Sequence, residues 1–209
     1  TPVANRSGLE ETEVQQGKGL FKKKIAIIPI EGTIVNARTP SLMGSGENAI
    51  SLLTQQLQRA EKDPNVVAVV LRINSPGGTV TASDTAYQLI SDFKKRTGKP
   101  VIASVQELCA SGGYYAALAA DEIVVQPTSV VGSIGVIFTS FDIEGTLNKI
   151  GARSYIIKSG QLKDMASPFK AMREEERQVI QAMIMDYFNR FVGVVQTRRE
   201  LQEVDVNRI

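Results

Sequence analysis

Histidine is absent from the 209 residues of this chain. Its absence excludes every Ser-His-Asp and Cys-His mechanism and argues against a zinc site. An activated nucleophile here must be served by another base, and lysine is the usual substitute. Cysteine is nearly absent too: Cys109 stands alone, so no intrachain disulfide forms and cysteine usage does not identify the compartment. Long apolar runs are also lacking. The longest is Tyr114–Ala120, far short of the roughly 20 residues of a membrane span, and it fits neither a transmembrane helix nor the apolar region of a secretory signal. No charge of one sign dominates. Lys and Arg number 24 against 22 Asp and Glu, mixed along the chain, which gives no basic face for nucleic acid.

What is present suffices for one globular domain, with 43% hydrophobic and 22% charged residues. Residues 1–23 are polar with little periodicity and read as a flexible N-terminal arm, and 24–209 as the folded domain. Ile25–Ile30 reads as a strand, Thr33–Gly46 as a loop, and Ala49–Ala60 as a helix ended by Asp63-Pro64. Val66–Ile73 is nearly continuous in apolarity, as expected of a strand covered on both faces. A helix over Thr81–Lys95, a strand over Val101–Val105 and a small-residue helix over Ser111–Ala120 follow. Strands are then expected at Ile123–Val125, Val136–Phe138 and Ser154–Lys158, with a helix near Ile143–Ile150. Met172–Arg199 reads as one long helix whose apolar positions, from 179 to 195, form a stripe wide enough for two surfaces, one of them a partner subunit. The alternation of strands and helices implies an α/β fold with a mainly parallel sheet.

Three constellations carry chemistry. Ala110-Ser111-Gly112-Gly113-Tyr114-Tyr115 follows a strand and opens a helix, where free N–H groups and the positive dipole end favour a developing oxyanion. The alternative is that Ser111 is a helix N-cap followed by a glycine turn. Asn74-Ser75-Pro76-Gly77-Gly78 occupies the equivalent position after another strand, at the sheet edge where ligands bind in open parallel sheets. It offers a second oxyanion donor, or is a plain turn. Ser159–Phe169 contains Lys163, by base rate a surface residue. Only a neutral amine acts as a base, and the apolar neighbours Leu162, Met165 and Phe169 supply a setting that disfavours the ammonium.

These segments, with Ile30-Glu31-Gly32-Thr33-Ile34 and Val131-Gly132-Ser133-Ile134-Gly135-Val136, resemble the signal peptide peptidase A (protease IV) family of the short, single-domain type. The resemblance runs from about Lys24 to Leu201. It implies a Clp protease/crotonase-like fold and a catalytic domain at 24–209. It carries across Ser111 as nucleophile, Lys163 as general base, Ser133 as the hydroxyl that holds the lysine amine, and Gly112 with Gly77 or Gly78 as oxyanion donors. It also implies a homo-oligomer with sites shared between subunits. Family members continue past the long helix and carry a hydrophobic N-terminal anchor, so the chain is expected to be truncated near Val204–Ile209 and to reach the membrane through an anchor it lacks. The catalytic domain is expected on the extracytoplasmic side.

The activity expected is that of a serine endopeptidase degrading hydrophobic peptides, including cleaved signal peptides, without metal or organic cofactor. Val80 and Tyr114 are expected to wall the substrate cleft. The rivals are a crotonase-type acyl-CoA enzyme and a non-catalytic scaffold of the same fold.

Overall fold

The computed structural model describes residues 11–17, 23–37, 40–41, 44–45 and 48–200. Most of the expected arm at 1–23 and the expected truncation point near Val204–Ile209 lie outside the described residues. The elements in chain order are β1 (Lys24–Glu31), β2 (Pro40–Ser41), β3 (Gly44–Ser45), α1 (Ala49–Lys62), β4 (Val66–Ser75), α2 (Val80–Thr97), β5 (Val101–Ala110), α3 (Gly112–Ala117), β6 (Glu122–Val124), β7 (Val130–Gly132), α4 (Glu144–Lys149) and α5 (Glu174–Arg199). The chain divides into two compact units. The first comprises Thr1–Ile134 with Gly193–Ile209, and the second Gly135–Val192.

The first unit is built on a parallel sheet in the order β1-β4-β5-β6, with β7 also paired to β5. β6 pairs with Ile102–Ser104 and β7 with Leu108–Ala110, so the two short strands share one edge of β5. The central strands bury one face. Val69, Leu71 and Ile73 of β4 and Val101, Ala103 and Val105 of β5 are almost completely covered, together with Ala82, Ala86, Ile90 and Phe93 of α2. The opposite face is not closed in the single chain: Ala68 and Val70 of β4 are half-buried and Arg72 is exposed, as are their β1 neighbours Ile25 and Ile27, which corrects the expectation that β4 is covered on both faces. β-branched residues on both sides of a strand report β-propensity as well as burial.

In the β4–β5 pairing the register slips between Ile73 and Ser75 and sets up the loops beyond. Ile73 faces Val105, whereas Ser75 faces Cys109. The gap in the ladder is filled by the Asn74 side chain, whose Oδ1 accepts from the Leu108 N–H at 3.2 Å. α1 starts at a side-chain cap, Asn48 Oδ1 accepting from Ile50 N–H at 2.9 Å and Ser51 N–H at 3.2 Å. α2 ends at Gly98, whose φ of 64° is the left-handed C-cap conformation.

In the second unit, α4 and the N-terminal part of α5 are the regular elements. The strands expected at Val136–Phe138 and Ser154–Lys158 do not form. Both segments have strand-like composition, but neither finds a partner among the described residues, and a strand without a ladder leaves its backbone groups unpaired. Their apolar side chains stay outside, Ile137 at 89% exposure and Ile157 at 100%. α5 buries one row, Ile180, Phe191 and Val195, while a parallel row, Val179, Met183 and Tyr187, remains exposed.

Candidate active site

Ser111 stands at the junction of β5 and α3 with φ 49° and ψ −120°. That conformation is rare for a residue with a Cβ and costs on the order of 1–3 kcal/mol, which the surrounding structure must over-determine. The determining contacts are visible. The Ser111 N–H donates to the Gly132 carbonyl at 2.8 Å, and its own carbonyl accepts from Tyr115 N–H at 2.9 Å. Ser111 holds the N-cap position of α3, but its Oγ makes no capping bond there. Among the described residues it has no other hydrogen-bond partner. A serine on a sharp, strained strand-to-helix turn with a free hydroxyl is presented for attack.

The second glycine turn abuts the first. A Cβ on Gly77 would stand 2.7 Å from Gly112 N and 2.9 Å from Ser111 Cβ, and Gly77 has φ 103°. A Cβ on Gly112 would meet Ser83 Oγ at 2.0 Å and Gly78 N at 3.2 Å. Glycine at both positions is therefore what allows the two loops to touch. Ser75, fully buried, pins the turn: its Oγ donates to the Gly32 carbonyl at 2.7 Å and accepts from Gly77 N–H at 3.1 Å. Gly77 N–H is thus occupied. The N–H groups of Gly78 and Gly112 have no acceptor among the described residues, so of the two candidates in this turn Gly78 is the one with a free amide. Reading the sequence alone could not separate them, because Ser75 as the acceptor emerges only from the folded turn.

The remaining expected residues fall as follows. Ser133, at φ 54°, follows Gly132, which is hydrogen-bonded to Ser111, so the β5–β7 pairing brings Ser133 to the same edge. Val80 begins α2 beside the glycine turn and is 36% exposed. Tyr114 is buried, and burial pushes its phenol up, with Arg199 acting the other way. Cys109, two residues before the serine, is fully covered, and burial raises its thiol to about 12, so it is no competing nucleophile.

Lys163 belongs to the second unit, in a run of turns after α4. Its side chain is exposed, as is Phe169, while Leu162 and Met165 are half-buried. The apolar enclosure expected around the amine is therefore not provided by these neighbours in a single chain. The segment packs instead on charged groups at the start of α5. Lys158 donates to Asp164 at 2.7 Å and holds that carboxyl below its ordinary range. Lys170 and Arg173 do the same to Glu176, whose carboxyl falls to about 2 against the opposing effect of burial.

A family model, Peptidase family S49, matches residues 93–209. A protein of Enterococcus faecium named for signal peptide peptidase SppA is 34% identical over 192 residues, covering 92% of this chain and 56% of that protein. Protease 4 of Haemophilus influenzae is 33% identical over 187 residues, 89% of this chain and 29% of its own length. The chloroplastic serine protease SPPA of Arabidopsis thaliana is 33% identical over 162 residues, 77% of this chain and 24% of that protein. The chain thus spans little more than half the length of these relatives at most. Among solved structures, a ClpP1 variant from Listeria monocytogenes superposes with a TM-score of 0.54 at 16% identity, over 87% of this chain and 77% of that one, which identifies the fold as Clp protease-like.

Proposed function

The chain belongs to peptidase family S49, and we propose that it is a serine endopeptidase in which Ser111 is the nucleophile and Lys163 the general base. The observation that carries this reading is the Ser111 turn, a strained serine with an unengaged hydroxyl beside the free amides of Gly112 and Gly78. Ser111 Oγ attacks the peptide carbonyl while neutral Lys163 takes its proton. The carbonyl oxygen becomes an oxyanion held by the N–H groups of Gly112 and Gly78. Lys163 returns the proton to the leaving amine, and water then repeats the sequence on the acyl-enzyme. Ser133 orients the amine. A crotonase-type enzyme would use the two amides but has no need of a strained serine between them.

The substrates proposed are hydrophobic peptides, cleaved signal peptides among them, with Val80 at the cleft entrance. No helix among the described residues is long and apolar enough to cross a membrane. The reading includes membrane attachment through a segment outside this chain, with the catalytic part on the extracytoplasmic side. It also includes a homo-oligomer in which Ser111 of one copy meets Lys163 of its neighbour. The exposed row Val179, Met183 and Tyr187 on α5 supports a partner surface, as does the exposure of Lys163 in the single chain.

The test is mass spectrometry after incubation with a fluorophosphonate, together with peptide turnover of Ser111→Ala, Lys163→Ala and their mixture. Modification confined to Ser111, loss of turnover in each variant, and partial recovery after subunit exchange are expected. Modification elsewhere, or parental turnover in Lys163→Ala, would sink the dyad.

A further inference from the structure

Lys163 sits in a segment without helix or strand, whose internal backbone bonds are turn bonds. Its N–H donates to the Gly160 carbonyl at 3.2 Å, Met165 N–H to Leu162 at 3.1 Å and Ser167 N–H to Asp164 at 3.1 Å. Such bonds shape turns but do not fix where the loop stands. The loop is tied outward by the Ser140 hydroxyl, which donates to the Ala166 carbonyl at 3.1 Å, by the Ile143 N–H, which donates to the Pro168 carbonyl at 2.8 Å, and, on either side of Lys163 itself, by charged side chains gathered on Glu176, in the first turn of α5.

Glu176 is the only charged residue among the described residues that is fully buried. Lys170 Nζ donates to both of its oxygens at 2.7 Å, Arg173 Nε to Oε1 at 2.8 Å, and the Arg173 main-chain N–H to Oε2 at 3.3 Å. The last contact is the backward reach of a capping box, which ties the carboxylate to the helix start. Arg173 Nη2 then donates to the Gln161 carbonyl at 2.7 Å. Lys158 Nζ donates to the same carbonyl at 2.9 Å and to Asp164 Oδ1 at 2.7 Å, and Lys170 Nζ lies 3.9 Å from Asp164 Oδ2. The residue two before Lys163 and the residue one after it are therefore both gripped by cations, and two of those three cations are themselves held by Glu176.

Taking a carboxylate out of water is unfavourable, and a buried ion pair is weak grounds for stability. The arrangement is better suited to fixing one geometry, since planar forked and bidentate contacts specify direction as well as distance. We propose that Glu176 is a positioning residue for the general base, acting through Arg173, Lys170 and Asp164 to hold the loop that presents Lys163. This inference rests on the reading of Lys163 as the base.

The experiment measures peptide turnover and Ser111 acylation by a fluorophosphonate for Glu176→Gln, Lys163→Ala and the double variant, with thermal unfolding in parallel. Glu176→Gln should lower kcat and the acylation rate about 10²-fold, the loss expected when a reacting group is displaced by about an ångström, and leave KM near the parent's. In the Lys163→Ala background the same change should cost nothing further, because groups acting as one unit are not additive. Arg173→Lys keeps the charge but cannot hold Glu176 and the Gln161 carbonyl together, so it should show a smaller loss of the same kind. It carries the test if Glu176→Gln does not fold. Parental rates in the folded Glu176→Gln or Arg173→Lys variant, or an equal fold loss with and without Lys163, would overturn the positioning role. Parental turnover in Lys163→Ala would remove the base assignment first, and the positioning role with it. Loss in Lys163→Ala beside parental rates in Glu176→Gln would remove the positioning role alone.

Discussion

Replacing Gly78 by alanine tests the oxyanion turn at the atom that matters. The new Cβ would stand 1.8 Å from the Ile34 carbonyl oxygen, 2.5 Å from its carbon and 2.7 Å from its nitrogen. An ordinary contact needs about 3.5 Å, so the shortfall at the oxygen is roughly 1.7 Å. All three atoms are backbone, so no side-chain rotation relieves it. Ile34 is not free to retreat: its N–H donates to Gly77 at 2.8 Å, its carbonyl accepts from Thr79 N–H at 3.0 Å, and its side chain is buried. The turn itself must move by an ångström or more, which carries the Gly78 N–H away from any oxyanion shared with Gly112. Loss of one such donor costs about 10²–10³ in kcat, roughly 2.7–4 kcal/mol. Overpacking should lower stability by a further ~1–3 kcal/mol. Turnover of a peptide and acylation by a fluorophosphonate read the first effect, and denaturant unfolding the second. Gly98→Ala is the control. Gly98 also has a positive φ, 64°, but nothing lies within 4 Å of its Cβ position, so it should lose about 1 kcal/mol of stability and no activity. A folded Gly78→Ala variant with the parent's kcat would refute the assignment of this amide.

Ser75→Ala leaves the Gly77 N–H and the Gly32 carbonyl without their partner at a fully buried position, so denaturant unfolding should show a loss of about 1–3 kcal/mol, with slower turnover as the turn loosens. Glu176 has a folded-state pKa held at about 2, below its unfolded value of about 4.3. Its contribution to stability is thus present above the unfolded value and is lost as pH falls towards 2. Hydrogen exchange over 158–176 should quicken across that window in the parent and lose this pH dependence in Glu176→Gln; identical profiles would count against the cluster. Cys109, buried and with its thiol near 12, should resist iodoacetamide in the folded protein, and Cys109→Ala should keep its turnover.

The sheet was legible because periodicity and punctuation agreed along it. Ile25–Ile30, Val66–Ile73 and Val101–Val105 are short apolar runs that end in turn residues, and the strands found at Lys24–Glu31, Val66–Ser75 and Val101–Ala110 contain them. Their extra length at the far end is the part that carries chemistry. Residues 74–75 are polar, and Gln106-Glu107 breaks the apolar run before Leu108-Cys109-Ala110. They are held in the sheet by the Asn74 side chain and by β7, whose Val130–Gly132 is too short to announce itself. The two glycine turns were visible as motifs. That Gly78 rather than Gly77 keeps a free amide depends on where the Ser75 hydroxyl points, and a one-dimensional pattern does not record direction.

The second unit was harder to read for a different physical reason. The ties around Lys163 are polar contacts between residues six to twelve positions apart, Lys158 with Asp164, Lys170 with Glu176 and Arg173 with the Gln161 carbonyl. A hydrophobicity pattern treats all of them as solvent-facing. Acidic residues in the first turn of a helix are expected to complement its dipole and to stay wet, which is how Glu174 behaves and how Glu176 was indistinguishable from it by sequence. Lys170 and Arg173 make the difference: they approach Glu176 from the loop side and allow it to be buried. The same segment leaves Ile137, Tyr155 and Ile157 uncovered. Composition there favours a strand because β-branched and aromatic residues suit a pleated surface, yet a pleated surface needs a neighbour. If a second copy supplies that neighbour, exposure of these side chains and exposure of Lys163 have one cause, and both should fall together on assembly. Hydrogen exchange over 136–138 and 154–158 should then slow with rising protein concentration in step with turnover. Exchange in these segments that is independent of concentration while activity rises would separate the two and leave the exposed segments without a part in the site.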